Sequence, residues 1–203
     1  MNYLYTKDLP SNLKYSDAVA IDTETMGLHL SRDKLCVVQV SFGDKNAHLV
    51  QVGGNFGYRA INLKNIMRDK RIIKIFHYAR FDMAMIKKYL GVVPTPVFCT
   101  KIASKLVRTY TDKHGLKELC RELLNVEISK QQQSSDWGKG ELSKSQINYA
   151  ANDVLYLHSL KSKLEIMLER EKRLKLAYTI FKFLPHRIKL DLMGWDNTDI
   201  FSH

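Results

Sequence analysis

Residues Asp17–Glu24 read Asp-Ala-Val-Ala-Ile-Asp-Thr-Glu, an apolar run that turns acidic at its end. Small and β-branched residues in an unbroken stretch suit a strand buried on both faces. Side chains two apart on a strand share a face, so Asp22 and Glu24 are expected to project side by side. Two such anions at the end of a dry strand repel each other and resist desolvation unless a cation joins them. The competing reading is a polar strand end entering a loop, and an Asp-x-Glu taken alone favours it.

Working outward, Leu35–Phe42 (LCVVQVSF) is β-branched and stops at Gly43-Asp44, and Ala47–Val52 (AHLVQV) alternates. With Asp17–Glu24 these runs predict a β-meander, ended by Gly53-Gly54. A short helix is expected over Ile61–Met67, a buried strand over Ile72–Phe76, and a helix over Arg80–Leu90 that stops at Gly91. Next come a strand at Val97–Cys99, a helix from Thr100 and another opened by Gly115 (LKELCRELL). Lys130–Gly140 (KQQQSSDWGKG) reads as a loop. Apolar residues at helical spacing predict a helix over Ser143–Lys163, capped by Ser-Lys-Ser-Gln. A basic helical stretch over Glu171–Leu190 follows, and Trp195–His203 forms either a loose or a docking tail. The expectation is one mixed α/β domain, residues 1–203, with a core over about 15–165 and a helical extension over about 166–203.

A chain of 203 residues suits a single core, and 45% hydrophobic with 26% charged residues excludes disorder. No run approaches the roughly 18 apolar residues of a membrane helix. The N-terminal Met1–Asp8 has neither a basic nor an apolar signal region. Cys36, Cys99 and Cys120 are odd in number and far apart, which predicts reduced, buried thiols and a cytoplasmic location. Thirty-two Lys and Arg against 21 Asp and Glu give a net charge of +11. That excess suits a polyanionic partner such as nucleic acid, or serves solubility alone.

Two further segments carry carboxylates. His77-Tyr78-Ala79-Arg80-Phe81-Asp82 follows the Ile72–Phe76 strand, placing Asp82 in the first turn of a helix, either as a ligand or as an ordinary residue favoured by the helix dipole. In Tyr149-Ala150-Ala151-Asn152-Asp153, the i, i+4 spacing lets the Tyr149 hydroxyl and the Asp153 carboxylate reach one point. The alternative there is a half-buried tyrosine and an exposed aspartate.

In order and spacing the three segments resemble the DEDD exonuclease superfamily, whose motifs supply Asp-x-Glu, Asp and a final Asp. One branch carries histidine five residues before the last Asp and the other tyrosine four before it. Here those positions are Asn148 and Tyr149, so the chain resembles the tyrosine branch, with RNase D and proofreading exonucleases. Thr100–Ser104 (TKIAS), Gly115–Leu119 (GLKEL) and Lys130–Trp137 (KQQQSSDW) are similar to RNase D segments. The chain stops before the helical RNA-binding domains of longer RNase D proteins and most resembles the compact bacterial RNase D-like group typified by nanoRNase C.

The resemblance implies an RNase H-like fold with a mixed central sheet flanked by helices, and a ring-shaped homo-octamer. It implies release of 5′-mononucleotides from 3′ ends, with dinucleotides or very short RNAs as substrates. Longer RNA, tRNA 3′ ends or DNA remain open, as does a non-catalytic binding module on the same fold. It assigns Asp22, Glu24, Asp82 and Asp153 to two divalent cations, Mg²⁺ or Mn²⁺, and places Tyr149 beside the attacking water. In related enzymes the backbone and a leucine after the first motif seat the terminal base, which marks Gly27 and Leu28; Leu28 is otherwise a core residue. His77 is a candidate sugar or phosphate contact, with a satisfied structural histidine as the alternative, and Tyr78 is a candidate substrate-binding residue beside it. Lys130, Gln132, Ser134 and Trp137 lie in a loop whose family counterpart borders the site, although Trp137 also suits core filling. Arg108, Lys113 and His114 either receive a 5′-phosphate or form a solvated basic face.

Overall fold

The computed structural model describes residues 1–129, 131–132 and 134–203. Its centre is a mixed six-stranded sheet built from β1 (Asn2–Thr6), β2 (Ala18–Thr25), β3 (Leu35–Ser41), β4 (Ala47–Gln51), β5 (Ile73–Phe76) and β6 (Val97–Cys99), in the order β1-β4-β3-β2-β5-β6. The expected meander is present: β3 pairs antiparallel with both β2 and β4. On the other side of β2, β5 and then β6 add in parallel, each reached through a helical crossover. Every residue of β3 and β4 is buried, as their apolar composition requires.

The helices are α1 (Ile61–Arg68), α2 (Ala79–Leu90), α3 (Thr100–Val107), α4 (Leu116–Leu119), α5 (Lys144–Leu155), α6 (Leu157–Arg170) and α7 (Leu174–Leu190). Gly91 ends α2 in the left-handed region at φ 72°. Ser143 caps α5 through a reciprocal capping box with Gln146. Cys36, Cys99 and Cys120 are all free and buried. Among the described residues no helix is long and apolar enough to cross a membrane.

Three features depart from the pattern read above. β1 extends the sheet by pairing in parallel with β4; its residues Asn-Tyr-Leu-Tyr-Thr are almost all exposed, so no burial alternation marks it, and its Tyr3 ring stacks on His48 at 5.1 Å. The helix expected over Ser143–Lys163 is two helices, broken at Tyr156 (φ −100°, ψ −8°). α5 lies across β2, β3 and β4, whereas α6 packs on α3; both faces are apolar, so the spacing runs through the bend without marking it. The basic stretch begins its helix only at Leu174.

The tail docks through Trp195–Thr198. Buried Asp191 accepts from Arg80 (2.7 and 2.8 Å) and Arg187 (3.1 Å), while Arg80 also donates to the Asp196 carbonyl and Arg187 to those of Trp195 and Thr198. This ties the end of α7 to the first turn of α2, the turn that carries Asp82.

Candidate active site

β2 delivers Asp22 and Glu24 to one face, and α5, lying across that strand, brings Asp153 down onto them. Ligand atoms of all three lie within 4.8 Å of one another. Asp82 enters from the first turn of α2, where the Thr23 hydroxyl donates to its Oδ1 at 2.6 Å. So much negative charge in a partly dry site is costly, and the carboxyls show it. Burial, then Asp82, Asp153 and Glu24, pushes Asp22 well above the usual carboxylate range. Burial, then Asp153 and Asp82, does the same to Glu24. Asp82 is raised to about 7, chiefly by burial. Clustered hard oxygen donors that hold their charge poorly without a counterion fit Mg²⁺ or Mn²⁺.

Tyr149, one turn before Asp153 on α5, donates its hydroxyl to that carboxylate. Burial first, then Asp153, Glu24 and Asp22, drives its ionisation upward, so it remains a phenol through the neutral range.

These groups stand in a cleft of about 640 Å³. Gly27, Leu28, His77, Tyr78 and Ser134 also line it. Leu28 is 80% exposed, which removes its core reading, and it stands at the cleft wall. Gly27 has a steric reason: a Cβ there would come within 2.3 Å of Asp33 Oδ2. His77 Nδ1 sits 2.9 Å from Thr100 Oγ1, and the Tyr78 ring lies under the Lys101 ammonium at 4.3 Å.

Other predicted contacts are elsewhere. Trp137 is buried with its ring against Tyr149 (centroids 6.1 Å apart), and it lines a smaller cavity of about 260 Å³ rather than the cleft. It backs Tyr149 from behind, because a large indole gains more from burial than from exposure at a loop tip. Arg108 is wholly buried, donating to the Lys113 carbonyl (2.7 Å), to Ser104 (3.2 Å) and to Glu122. His114 is bound to the same Ser104 at 2.8 Å. Arg108 and His114 therefore form an internal knot, and neither they nor exposed Lys113 line the cleft. Gln132 is off the cleft wall as well, and Lys130 lies outside the described residues.

Three groups at the site were not anticipated. Lys101 and Lys117 line the cleft, and Gln39 reaches Asp22 Oδ2 and Glu24 Oε1, both at 3.3 Å. Lys101 stands in the quoted TKIAS segment. Gln39 is the one residue in Leu35–Val40 with a side-chain amide, amid apolar neighbours, and only the antiparallel register, which sets it opposite Asp22, gives it a role at the site.

The chain matches the family model described as 3′-5′ exonuclease over residues 5–169. It is similar to the structure of Brucella melitensis NrnC bound to pGG, with 56% identity and a TM-score of 0.95 over 99% of this chain and 98% of that one. For the same protein with bound Mg²⁺ the values are 55% and 0.94, with the same coverage. The ribonuclease D of Granulibacter bethesdensis is 32% identical over 166 residues, which is 82% of this chain and 41% of that protein. The chain thus spans about two fifths of the length of the curated ribonuclease D relatives it matches. The matched span contains β2, α2 and α5, the elements that bring the four carboxylates and the phenol together. On the family match and on these relatives, this chain belongs to the 3′-5′ exonuclease family.

Proposed function

We propose that the chain is a divalent-cation-dependent 3′–5′ exonuclease that releases 5′-mononucleotides and prefers dinucleotides and very short oligoribonucleotides. The observation that carries this reading is the convergence of Asp22, Glu24 and Asp153 ligand atoms within 4.8 Å on the floor of an open cleft. Asp22, Glu24 and Asp153, with Asp82 beside them, would hold the two cations. When bound, such ions supply a water ionised near neutral pH and neutralise charge gathering on the phosphate.

The chain's own groups do the rest. Tyr149 keeps its proton and, beside Asp153, orients the attacking water. Lys101 and Lys117 set positive charge along the cleft for substrate phosphates. Exposed Leu28 offers an apolar edge to a terminal base. Tyr149→Phe is expected to lower kcat about 100-fold, as loss of a preorganised hydrogen-bonding group at a reacting centre does, with little change in KM. Steady-state kinetics on a labelled dinucleotide check it.

The length preference draws support from the whole-chain likeness to NrnC bound to pGG. Incubation with 5′-labelled RNAs of two to seven nucleotides tests it: the two-mer should turn over fastest. Equal rates along the series would leave an exonuclease acting on longer RNA or DNA. The reading includes a homo-oligomer, an octamer by resemblance, for which exposed Phe201 and Trp195 offer apolar surface; light scattering measures it.

A further inference from the structure

Gln39 occupies a position that its strand would fill more cheaply with a hydrocarbon. β3 reads Leu-Cys-Val-Val-Gln-Val-Ser, and Gln39 is completely buried within it. Its register partner across the antiparallel ladder is Asp22, so the amide emerges on the face that carries the carboxylates. One nitrogen, Nε2, reaches Asp22 Oδ2 and Glu24 Oε1, both at 3.3 Å. An amide nitrogen has two hydrogens, which is one for each carboxylate. The other end of the amide, Oε1, is buried and finds no hydrogen-bond donor among the described residues.

That imbalance is informative. A buried acceptor without a partner bears its full desolvation penalty, whereas valine or leucine at the same place would bear nothing of the kind. Turning the amide over would aim an acceptor at two carboxylates in place of the donor that now reaches both. The orientation is therefore dictated by the acids, and the cost is borne for their sake.

We propose that Gln39 is a positioning residue for the cation site, and this rests on the metal-dependent reading above. By engaging Asp22 Oδ2 and Glu24 Oε1, it fixes the rotation of both carboxylates before any cation arrives. The second oxygen of each carboxylate carries no bond from Gln39 and would be available to a cation. It also supplies partial positive charge between two anions, so the site need not splay apart when empty. Gln39 is absent from the cleft wall, where substrate would lie. Its loss should therefore act on cation affinity and leave the substrate's KM alone, provided cation is saturating.

Calorimetric titration of the chelator-stripped protein with MgCl₂ tests the inference, using wild type, Gln39→Met and Gln39→Asn. Gln39→Met keeps the volume and loses both donors; Gln39→Asn keeps the amide but is a methylene too short to span both acids. Outer groups that orient metal ligands are typically worth 10–100-fold in metal affinity, and a weakening in that range is expected for Gln39→Met, with a smaller one for Gln39→Asn. Excess Mg²⁺ should restore most of kcat in both. Circular dichroism establishes that each variant is folded, and if Gln39→Met is not, Gln39→Asn carries the test. Mg²⁺ affinity within twofold of wild type in a folded variant overturns the role of Gln39. Failure of the wild-type protein itself to bind Mg²⁺ overturns the metal-dependent reading instead, so the two failures are distinct.

Discussion

Asp22→Asn is expected to lower turnover about a thousandfold or more, and at the same time to raise the melting temperature of the chelated protein. The two effects share one cause. Asp22 sits among Glu24, Asp82 and Asp153, and burial together with those charges pushes its carboxyl well above the usual range. In the loaded enzyme its charge is needed to hold the cations, and losing several kcal/mol of stabilisation at the reacting phosphate corresponds to roughly 10³-fold in rate. Without cations the same charge is a liability, so an uncharged amide of equal size relieves repulsion. The sign with pH follows. Carboxyls raised in the native state keep protons that the unfolded chain has already released above about pH 4. Stability of the chelated protein should therefore fall as pH rises from about 4 through about 7, the value to which Asp82 is raised. Asp22→Asn should make that decline shallower. Thermal melts in EDTA at a series of pH values, with rates measured in MgCl₂, check both halves.

Glu122→Ala should be among the most destabilising single changes, although it touches no catalytic group. Arg108 is wholly buried and its guanidinium pairs with Glu122, whose side chain is 33% exposed. Removing one partner of a buried pair leaves an uncompensated charge in the interior, at a cost of about 3–5 kcal/mol. The exposure of Glu122 moves the expectation to the lower end, about 3 kcal/mol or roughly 10 °C for a chain of this size. Glu122→Gln, which keeps an acceptor for Arg108, should cost less than half as much. At temperatures well below the melt, kcat should stay near wild type in both. Denaturant unfolding curves with matched activity assays read the difference.

The same pair shows where sequence reading stops. Arg108 looks like a surface cation until the chain is folded, because its burial depends on a carbonyl at Lys113 and a carboxylate at Glu122 that no local pattern connects. Gln39 failed to register for the same reason: its meaning comes from a cross-strand partner. β1 is short and almost wholly exposed, so no burial pattern announces it, and the bend at Tyr156 falls inside an uninterrupted helical spacing. What could be read was whatever local periodicity encodes. The meander, the crossover strands, the Gly91 stop and the Ser143 cap all lie where turn chemistry and side-chain spacing put them. The gathering of Asp22, Glu24 and Asp153 needed tertiary structure in principle. It was legible because the order and spacing of three weak motifs resembled those of a known superfamily, and the packing of α5 across β2 supplies the geometry.

The most direct test of the cation-dependent exonuclease is hydrolysis of a 5′-labelled dinucleotide under single-turnover conditions, in MgCl₂ and in EDTA. The expected result is labelled 5′-mononucleotide with Mg²⁺ and none with EDTA, with activity returning when Mg²⁺ is added back. Undiminished cleavage in EDTA, or an intact dinucleotide in MgCl₂ and in MnCl₂ alike, would contradict the account.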